Sequence, residues 1–348
     1  MRINGPPRQI KVAQLCADVG GNMTLRRRTF LAAVAASPFV SRLAQAQAFP
    51  NRPITMVVPY PPGGPTDTIA RLVAERMRGS LGQPIVIENM SGGGGTIAVT
   101  RVARAAGDGY TLSIGHWGSH VINGAVYTLP FDLLTDLEPV ALIADGPQLA
   151  VAAKSVPAAN VTELTAWLKA NPGKGMVGTT GVGGASHLAA ILFAKTTETS
   201  IQIVPYRGSA PRMQDLLAGT IHLAFDQASS ALAQVQAGKL HGYAVTSKTR
   251  LAVAPEIPTV DEAGLPGFYM SVWHGIWTSK GTPKEIIRVL NTAVVDALAD
   301  PLVRQRLTEL AQELPARERQ TPEALGAYQK AEIEKWWPIV KAAGIKVE

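Results

Sequence analysis

Cysteine is almost absent from this chain of 348 residues, which has only Cys16 near its N-terminal end. From Phe49 onward the chain therefore has neither a disulfide framework nor a thiol nucleophile. Long apolar runs are also missing. The run from Phe30 to Val40 is short and contains Pro38, and no later segment is apolar enough to span a bilayer. We therefore expect a soluble protein that is held together by its apolar core alone.

Recognisable catalytic and metal-binding motifs are missing as well. No loop closes with the Gly-Lys-Ser/Thr of a P-loop, and Gly181–Gly183 lacks the spacing of a dinucleotide-binding motif. Ser186 and His187 are sequence neighbours, which do not face each other on a helix, and no Gly-x-Ser-x-Gly elbow is present. His116 and His120 lie four residues apart in a loop rather than on a helix. The sequence therefore predicts no enzyme, no cofactor and no metal site.

Positive charge is concentrated at the N-terminal end of the chain. The formal net charge is +7, but residues 1–48 hold seven of the 33 Lys and Arg residues and one of the 26 acidic residues. This leaves 26 basic and 25 acidic residues from Phe49 onward, a net charge of +1. The basic character of the chain therefore does not indicate a nucleic-acid partner.

The first 48 residues have the order of parts found in an export signal. Arg26–Arg28 precede the apolar run, and the small residues Ala44–Ala48 follow it as a cleavage region. The stretch from Arg27 to Leu31 resembles a twin-arginine signal, and a Sec signal with an arginine-rich start fits equally well. The preceding residues do not belong to such a signal, so Met23 is the expected true start. Cleavage near Ala48 would leave a periplasmic protein.

Short β-branched runs alternate with helical stretches after the leader, a pattern that predicts an α/β fold with parallel sheets covered by helices. The predicted strands are Ile54–Val58, Ile85–Glu88, Thr111–Ile114, Ala150–Ala153, Met176–Thr179, Ile201–Val204, Ile221–Phe225 and Gly242–Thr246. The predicted helices lie near 66–79, 96–106, 162–171, 185–198, 209–218 and 229–237, with three more at Lys284–Ala299, Pro301–Glu313 and Pro322–Ala343. No flexible linker divides the chain, which suggests two lobes joined by strand crossovers.

One loop, Pro59–Asp67, joins the first predicted strand directly to an amphipathic helix. Its two glycines allow the backbone to approach a ligand closely, and its prolines stiffen it. Pro65 suits the first helical position, and a carboxylate such as Asp67 is favoured in the first turn. The helix directs its N-terminal amides at this loop, which suits an anion. An ordinary connection in an α/β fold is the alternative.

Three later loops repeat this design, each between a predicted strand and a predicted helix. They are Asn89–Thr96, Gly178–His187 and Pro205–Ala210. Four helix N-termini behind loops rich in Gly, Ser and Thr would provide a convergent set of donors. Such donors suit a carboxylate or a phosphate.

Single aromatic and charged side chains in or near these loops are further candidates. Tyr60, Trp117 and Tyr206 could wall a pocket, with core or surface packing as the alternative. Arg207 could bind a carboxylate, although a solvated arginine at a helix start is equally plausible. Asp226 directly follows a predicted strand, where ligand groups collect in open α/β sheets. It could instead cap the helix that follows.

Several stretches in order resemble one known family, the periplasmic solute-binding receptors of tripartite tricarboxylate transporters, also called Bug receptors. The resemblance runs from about Phe49 to the C-terminus. Its landmarks are Val58–Asp67, Val86–Asn89, Asp108–Leu112, Val204–Pro211, Asp215–Gly219, Val245–Ser247 and Pro258–Gly267. The family commonly shows Pro-Gly-Ala-Gly after the asparagine of the second loop, and Met90–Gly95 departs from that pattern.

The resemblance implies a type II periplasmic-binding-protein fold, with two α/β lobes and a ligand cleft between them. Lobe one would comprise residues 49–148 and 271–348, and lobe two residues 149–270. In the family, loops of both lobes hold a carboxylate, largely through backbone amides and bridging waters. With Trp117 from the loop analysis, the predicted ligand-binding residues are Tyr60, Gly63, Gly64, Asp67, Ser91, Gly93, Trp117, Thr179, Thr180, His187, Tyr206, Arg207 and Asp226.

The function implied by the resemblance is capture of a small organic carboxylate in the cleft and its delivery to a membrane transporter. The implied partners are the ligand and the membrane subunits of a tripartite tricarboxylate-type transporter, and the receptor is expected to be a monomer. A ligand sensor of the same fold that signals to a membrane kinase is the alternative. The sequence does not identify the carboxylate, because backbone amides bind any carboxylate alike.

Overall fold

The structure, a computed structural model, describes residues 49–342 and 344–346. The export signal, the proposed start at Met23 and Cys16 lie outside the described residues. No helix of the described part is long and apolar enough to cross a membrane.

Strands and helices alternate along the described residues, as the sequence predicts. The strands are β1 (Ile54–Val58), β2 (Ile85–Asn89), β3 (Thr111–His116), β4 (Leu137–Ala153), β5 (Gly175–Thr179), β6 (Ile201–Pro205), β7 (Leu223–Gln227), β8 (Leu240–Val245) and β9 (Ser271–Ser279). The α-helices are α1 (Pro65–Leu81), α2 (Thr96–Ala103), α3 (Asn123–Val126), α4 (Val161–Ala170), α5 (Ala185–Thr197), α6 (Ser209–Ala218), α7 (Ala228–Gln236), α8 (Lys284–Ala299), α9 (Pro301–Glu309) and α10 (Pro322–Ala342).

The strands form a mixed sheet in the order β2-β1-β3-β9-β4-β7-β5-β6, and β8 pairs with β4. Strand β1 is parallel to β2 and β3, and β5 is parallel to β6 and β7. Strand β9 runs antiparallel to β3 and β4, and β4 runs antiparallel to β7 and β8. The prediction of parallel sheets is therefore correct for the pairs among β1, β2 and β3 and among β5, β6 and β7. It is wrong for β4, β8 and β9, whose pairings are all antiparallel.

Strand β4 connects the two halves of this sheet. It pairs with β9 from Leu137 to Pro147 and with β7 from Gln148 onward. The sequence predicts only the last four residues of this strand and misses β9 altogether. Proline and glycine normally interrupt a central strand, and β4 contains both. Its pairing with β9 shifts register beside Pro139, which shows how the proline is accommodated.

Helix α1 illustrates how the sequence positions the first loop. Pro65 occupies its first position, and Ile69, Val73 and Met77 are fully buried along one face. The helix ends at Gly82, which adopts the left-handed conformation that glycine favours. Buried apolar residues of α1 and α8 pack with those of β1, β3 and β9 in one core cluster. The end of α1 that faces the loop is therefore fixed by the core.

Helix α9 is shorter than the sequence predicts. It ends at Glu309 rather than at Glu313, and Ala311 has a positive φ of 52°. Glu313 then pairs with Asp145 of β4 through two backbone hydrogen bonds of 2.9 and 2.7 Å. Contact with the central strand thus ends this helix, and a helical pattern in the sequence does not reveal such a contact.

Candidate functional site

A cavity of about 50 Å³ lies where loops from both halves of the sheet meet. Its lining comes from the β1–α1 loop with the start of α1, the end of β3, Gln148 of β4, the end of β7, the start of β9, and the loops after β5 and β6 with the first turns of α5 and α6. At roughly 10–15 Å³ per water-sized probe, this volume corresponds to a few water molecules. The cavity is therefore small.

Asp67 fixes the β1–α1 loop. Its carboxylate accepts hydrogen bonds from Gly63 N at 2.9 Å, from Asn89 Nδ2 at 2.9 Å and from Arg71 at 2.9 and 3.0 Å. Burial favours the neutral carboxyl, but the hydrogen bonds, led by that from Arg71, outweigh burial and lower the pKa of Asp67. Asn89 Nδ2 also donates to Tyr60 O at 3.0 Å. Asp67 therefore acts as a structural anchor of this loop.

Tyr60 and His116 form an aromatic wall of the cavity. Their rings stack with centroids 4.8 Å apart and an interplanar angle of 7°. Burial lowers the pKa of His116 to about 4, so its imidazole is neutral at neutral pH. Its Nδ1 accepts a hydrogen bond from Gly118 N at 2.9 Å, which assigns the proton to Nε2. His116 can therefore donate a hydrogen bond to a ligand without adding charge.

The N-termini of α1, α5 and α6 meet at the cavity. Thr66, Ala185 and Ser209, in their first turns, line it, and their backbone N–H groups donate to no acceptor in the described part of the chain. The caps Gly64, Gly184 and Gly208 form no side-chain cap, which leaves these ends open. Unpaired helix-terminal amides bind anions through their partial positive charge. Three helices thus direct donors at one small volume.

Loops from opposite walls of the cavity are in contact. Tyr127 Oη donates to Val182 O at 2.6 Å. Gly208 has a φ of 133°, and a Cβ atom there would lie 3.1 Å from the ring of Pro61. Two walls of the cavity therefore approach each other at Gly208 and Pro61, and this approach leaves no room for a side chain at Gly208.

A buried ion pair lies in the wall formed by α6 and β7. Arg212 Nη2 is 2.5 Å from Asp226 Oδ1, and these side chains are only 1% and 4% exposed. Ser209 Oγ donates to both Asp226 oxygens at 3.2 and 3.0 Å, and Arg212 Nη1 donates to Phe225 O at 3.2 Å. The pair adds no net charge, because the carboxylate compensates the guanidinium. A cavity lined in this way is polar but neutral.

Two glutamines complete the polar lining. Gln148 of β4 and Gln227 of β7 are cross-strand partners, and both line the cavity. Gln148 Oε1 and Nε2, Gln227 Oε1 and Arg212 Nε are buried and have no hydrogen-bond partner in the described part of the chain. Buried polar atoms of folded proteins nearly always have partners. These atoms are therefore candidates for hydrogen bonds to a molecule in the cavity.

Four of the predicted ligand-binding residues line the cavity: Tyr60, Gly64, Thr180 and Asp226. The other nine do not: Gly63, Asp67, Ser91, Gly93, Trp117, Thr179, His187, Tyr206 and Arg207. For the four, the role in ligand binding stays a prediction. For the nine, the structure gives no contact with this cavity, and they do not enter the proposal below.

The nine have identifiable surroundings. Trp117 is buried in the core with its ring edge against Trp336, and Arg207 is exposed. Tyr206 Oη donates to Asp215 at 2.6 Å, and His187 Nδ1 accepts from Gly183 N at 2.9 Å. Ser91 and Gly93 are exposed, as is much of their loop, so the second glycine loop does not contribute to the lining.

The lining residues that the predicted ligand-binding set lacks include His116, Gln148, Ser209, Arg212 and Gln227. Ser209 lies in a loop that the analysis singled out, and Arg212 follows one turn later on the same helix. Helical spacing of these two could have drawn attention to Arg212. No local pattern marks the two glutamines, because their strands meet only in the folded sheet.

Within residues 49–342 and 344–346, no group of three or more His, Cys, Asp or Glu side chains is placed to hold a metal ion.

Comparison with known proteins places the chain in a family. Residues 69–345 match the model of the tripartite tricarboxylate transporter family receptor. The chain belongs to this family. It is also 37% identical over 345 residues to the UPF0065 protein in the TAR-I ttuE-ttuC' intergenic region of Agrobacterium vitis, which covers 99% of this chain and 96% of that protein.

Solved structures confirm the predicted fold class. The periplasmic binding protein BugD aligns with a TM-score of 0.82 and 39% identity, over 86% of this chain and all of BugD. MatC from Rhodopseudomonas palustris, with bound malate, aligns with a TM-score of 0.81 and 39% identity, over 84% of this chain and all of MatC. Another R. palustris protein, with adipate, aligns with a TM-score of 0.82 and 37% identity, over 86% of this chain and all of that protein. The receptor therefore has two α/β lobes with a cleft between them, and the lobe boundaries given above stay a prediction.

Proposed function

We propose that this receptor is a periplasmic, non-enzymatic solute-binding protein that captures a small organic carboxylate in the cavity. The observation that carries the proposal is the convergence of the α1, α5 and α6 N-termini on one neutral cavity. Helix-terminal amides and the Nε2–H group of His116 would meet the carboxylate, and no net positive charge is needed. Closure of the two lobes would bury the ligand.

Two similar receptors support the chemical class of the ligand. The structure of MatC contains malate, and that of the second R. palustris protein contains adipate. Both ligands are carboxylates, and both proteins are more than a third identical to this chain. We extend the class to this receptor and leave the individual acid open.

Delivery to a membrane transporter is the second part of the proposal. The family is named for tripartite tricarboxylate transporters, and we propose that the membrane subunits of such a transporter accept the ligand from the closed receptor. We also propose that residues 1–48 direct export and that the receptor acts in the periplasm as a monomer.

A thermal-shift screen of mono-, di- and tricarboxylates tests binding. A ligand at 100 times its Kd should stabilise the receptor by about 2.7 kcal/mol. For a domain of this size, that corresponds to roughly 5–10 °C in melting temperature. The matching uncharged amides serve as controls and should give no shift. Absence of a shift with every carboxylate in the panel would contradict the proposal.

Transport and catalysis need separate measurements. Radiolabelled uptake by membrane vesicles that contain the cognate membrane subunits should require the receptor and fail without it. If uptake does not depend on the receptor, while the ligand changes the activity of a membrane kinase, the sensor hypothesis is favoured. Mass spectrometry of the bound acid before and after incubation should show no change, and any product would contradict a non-enzymatic role.

A further inference from the structure

The wall formed by β4, β7 and α6 contains polar groups that the capture of one carboxylate does not use. Gln148 and Arg212 are each 1% exposed, and Gln227 lies opposite Gln148 on the neighbouring strand. All three line the cavity. They belong to a different wall from the helix N-terminus of α1 and the aromatic pair of Tyr60 and His116.

This wall is built to hold Arg212 in place. Gly178 of β5 leaves the space that the arginine occupies, because a Cβ atom at Gly178 would lie 2.8 Å from Arg212 Cγ. Ser209 Oγ accepts from Arg212 Nη2 at 3.0 Å, and the backbone oxygen of Phe225 accepts from Nη1. A guanidinium fixed in this way has little freedom to turn away from the cavity. Its Nε–H group remains available as a donor.

The charge of the wall argues against a second carboxylate at this position. Asp226 pairs with Arg212 at 2.5 Å, so the wall has no uncompensated positive charge. A ligand carboxylate placed here would be repelled by the Asp226 carboxylate. It would also leave the amide oxygens of Gln148 and Gln227 unpaired, because an ionised carboxylate only accepts hydrogen bonds.

A hydroxyl group fits the same wall, because it both donates and accepts. The oxygens of Gln148 and Gln227 can accept its proton, while Gln148 Nε2 and Arg212 Nε can donate to its oxygen. If the side-chain amide of Gln148 is turned over, so that its nitrogen and oxygen change places, the residue still has one acceptor and one donor group. The match therefore does not depend on the orientation of that amide.

We propose that Gln148, Gln227 and Arg212 form a specificity subsite that binds a hydroxyl substituent of the ligand. The ligand is then a small hydroxycarboxylate, whose carboxylate lies at the helix N-termini and whose hydroxyl group faces β4 and β7. This inference rests on the proposed carboxylate-binding function. The three side chains discriminate between acids that the backbone amides cannot tell apart.

Matched pairs of acids that differ by one hydroxyl group provide the test. Calorimetry would compare malate with succinate, and lactate with propionate, on the purified full receptor. Because the net gain from a neutral hydrogen bond corresponds to about fivefold in affinity, we expect each hydroxy acid that binds to bind about fivefold more tightly than its partner or better. Equal affinities within both pairs would overturn the proposal and leave carboxylate binding intact. Absence of binding by all four acids would contradict the subsite, and the broader carboxylate panel would then decide the proposed function.

Substitution of Gln148 by methionine isolates the subsite. The Gln148→Met change keeps the length of the side chain and removes the amide, so it should reduce the preference for the hydroxy acid about fivefold. The affinity for the partner acid should change by less than threefold. Gln214→Met is the matched control, because Gln214 lies on α6 but is exposed. The Gln214→Met variant should prefer the hydroxy acid over its partner acid as strongly as the unmodified receptor does.

Gln227→Met provides a second variant, because Gln227 is only half-buried and its replacement disturbs the core less. It should lower the same preference, and circular dichroism checks that each variant is folded. If both variants weaken binding of the hydroxy acid and of its partner acid equally, the glutamines affect binding only through the shape of the cavity. That outcome would refute the assigned role.

Discussion

Substitution of Gly208 by alanine tests whether the observed closed cavity is the ligand-binding form. Gly208 is the cap of α6 and has a φ of 133°. An added Cβ atom would lie 3.1 Å from both Cδ and Cγ of Pro61, which belongs to the β1–α1 loop. The proline ring is rigid, so relief of this contact requires the two walls to separate.

The structure sets the size of the expected effect. Carbon atoms pack comfortably at about 3.5–4.0 Å, so the walls would have to separate by roughly half an ångström. Overpacking of this kind costs about 1–3 kcal/mol, which here falls on the closed form alone. We therefore expect Gly208→Ala to weaken carboxylate binding about 10- to 100-fold.

Gly181→Ala is the matched control. Gly181 has a similar φ of 116°, but a Cβ atom there would have no atom within 4 Å. Both variants place alanine in an unfavourable backbone conformation, which costs about 1–3 kcal/mol of folding free energy. Both should therefore lose several degrees of melting temperature without ligand, at about 2–4 °C per kcal/mol. Only Gly208→Ala should lose affinity.

Calorimetry with the tightest acid from the panel, together with melting curves of the free receptor, measures these two effects. Unchanged affinity of Gly208→Ala would refute the closed cavity as the ligand-bound form. An equal loss of affinity in Gly181→Ala would attribute the effect to backbone strain rather than to contact between the walls.

Three further changes test the buried polar groups and the cavity. Asp226→Asn should lower the free energy of unfolding by about 3–5 kcal/mol in urea titrations, because it leaves the buried Arg212 charge uncompensated. The control Arg250→Gln breaks an exposed ion pair and should lower the free energy of unfolding by less than about 1 kcal/mol. The pKa of His116 is lowered to about 4, so the unfolded chain binds more protons between this value and about 6.5, and stability falls as the pH drops through that window. His116→Gln should therefore flatten the pH dependence of unfolding there, and an unchanged slope would show that His116 is not buried in the neutral form. Gly64→Leu should fill the cavity and abolish the ligand-induced thermal shift while the receptor still folds, and a retained shift would place the ligand elsewhere.

Local patterns were sufficient for some elements of the fold. The strand Ile54–Val58 and the helix Lys284–Ala299 have the bounds that the sequence predicts, because β-branched runs and apolar periodicity are local properties. The central strands were not predictable in the same way. Strand β4 contains Pro139 and Pro147, and it stays extended only because β9 and β7 pair with it.

The candidate site, like the fold, was predictable only in part. The sequence indicated that the loops at Tyr60, Thr180 and Ser209 present helix N-termini, because glycine-rich turns before amphipathic helices are visible in the chain itself. It indicated that four such loops converge, whereas the loop Asn89–Thr96 does not line the cavity. It also selected the exposed Arg207 and not the buried Arg212. An arginine becomes a buried wall residue only when a neighbouring strand supplies space and a carboxylate compensates its charge.

The sequence by itself determined the family, the alternation of strands and helices and the backbone chemistry that can hold a carboxylate. Only the tertiary structure decided which donors reach one cavity and which side chains line it. The physical reason is that backbone conformation and helix ends are encoded within a few neighbouring residues. The pairing of Gln148 with Gln227 and of Arg212 with Asp226 depends instead on strands and helices that are distant in the chain.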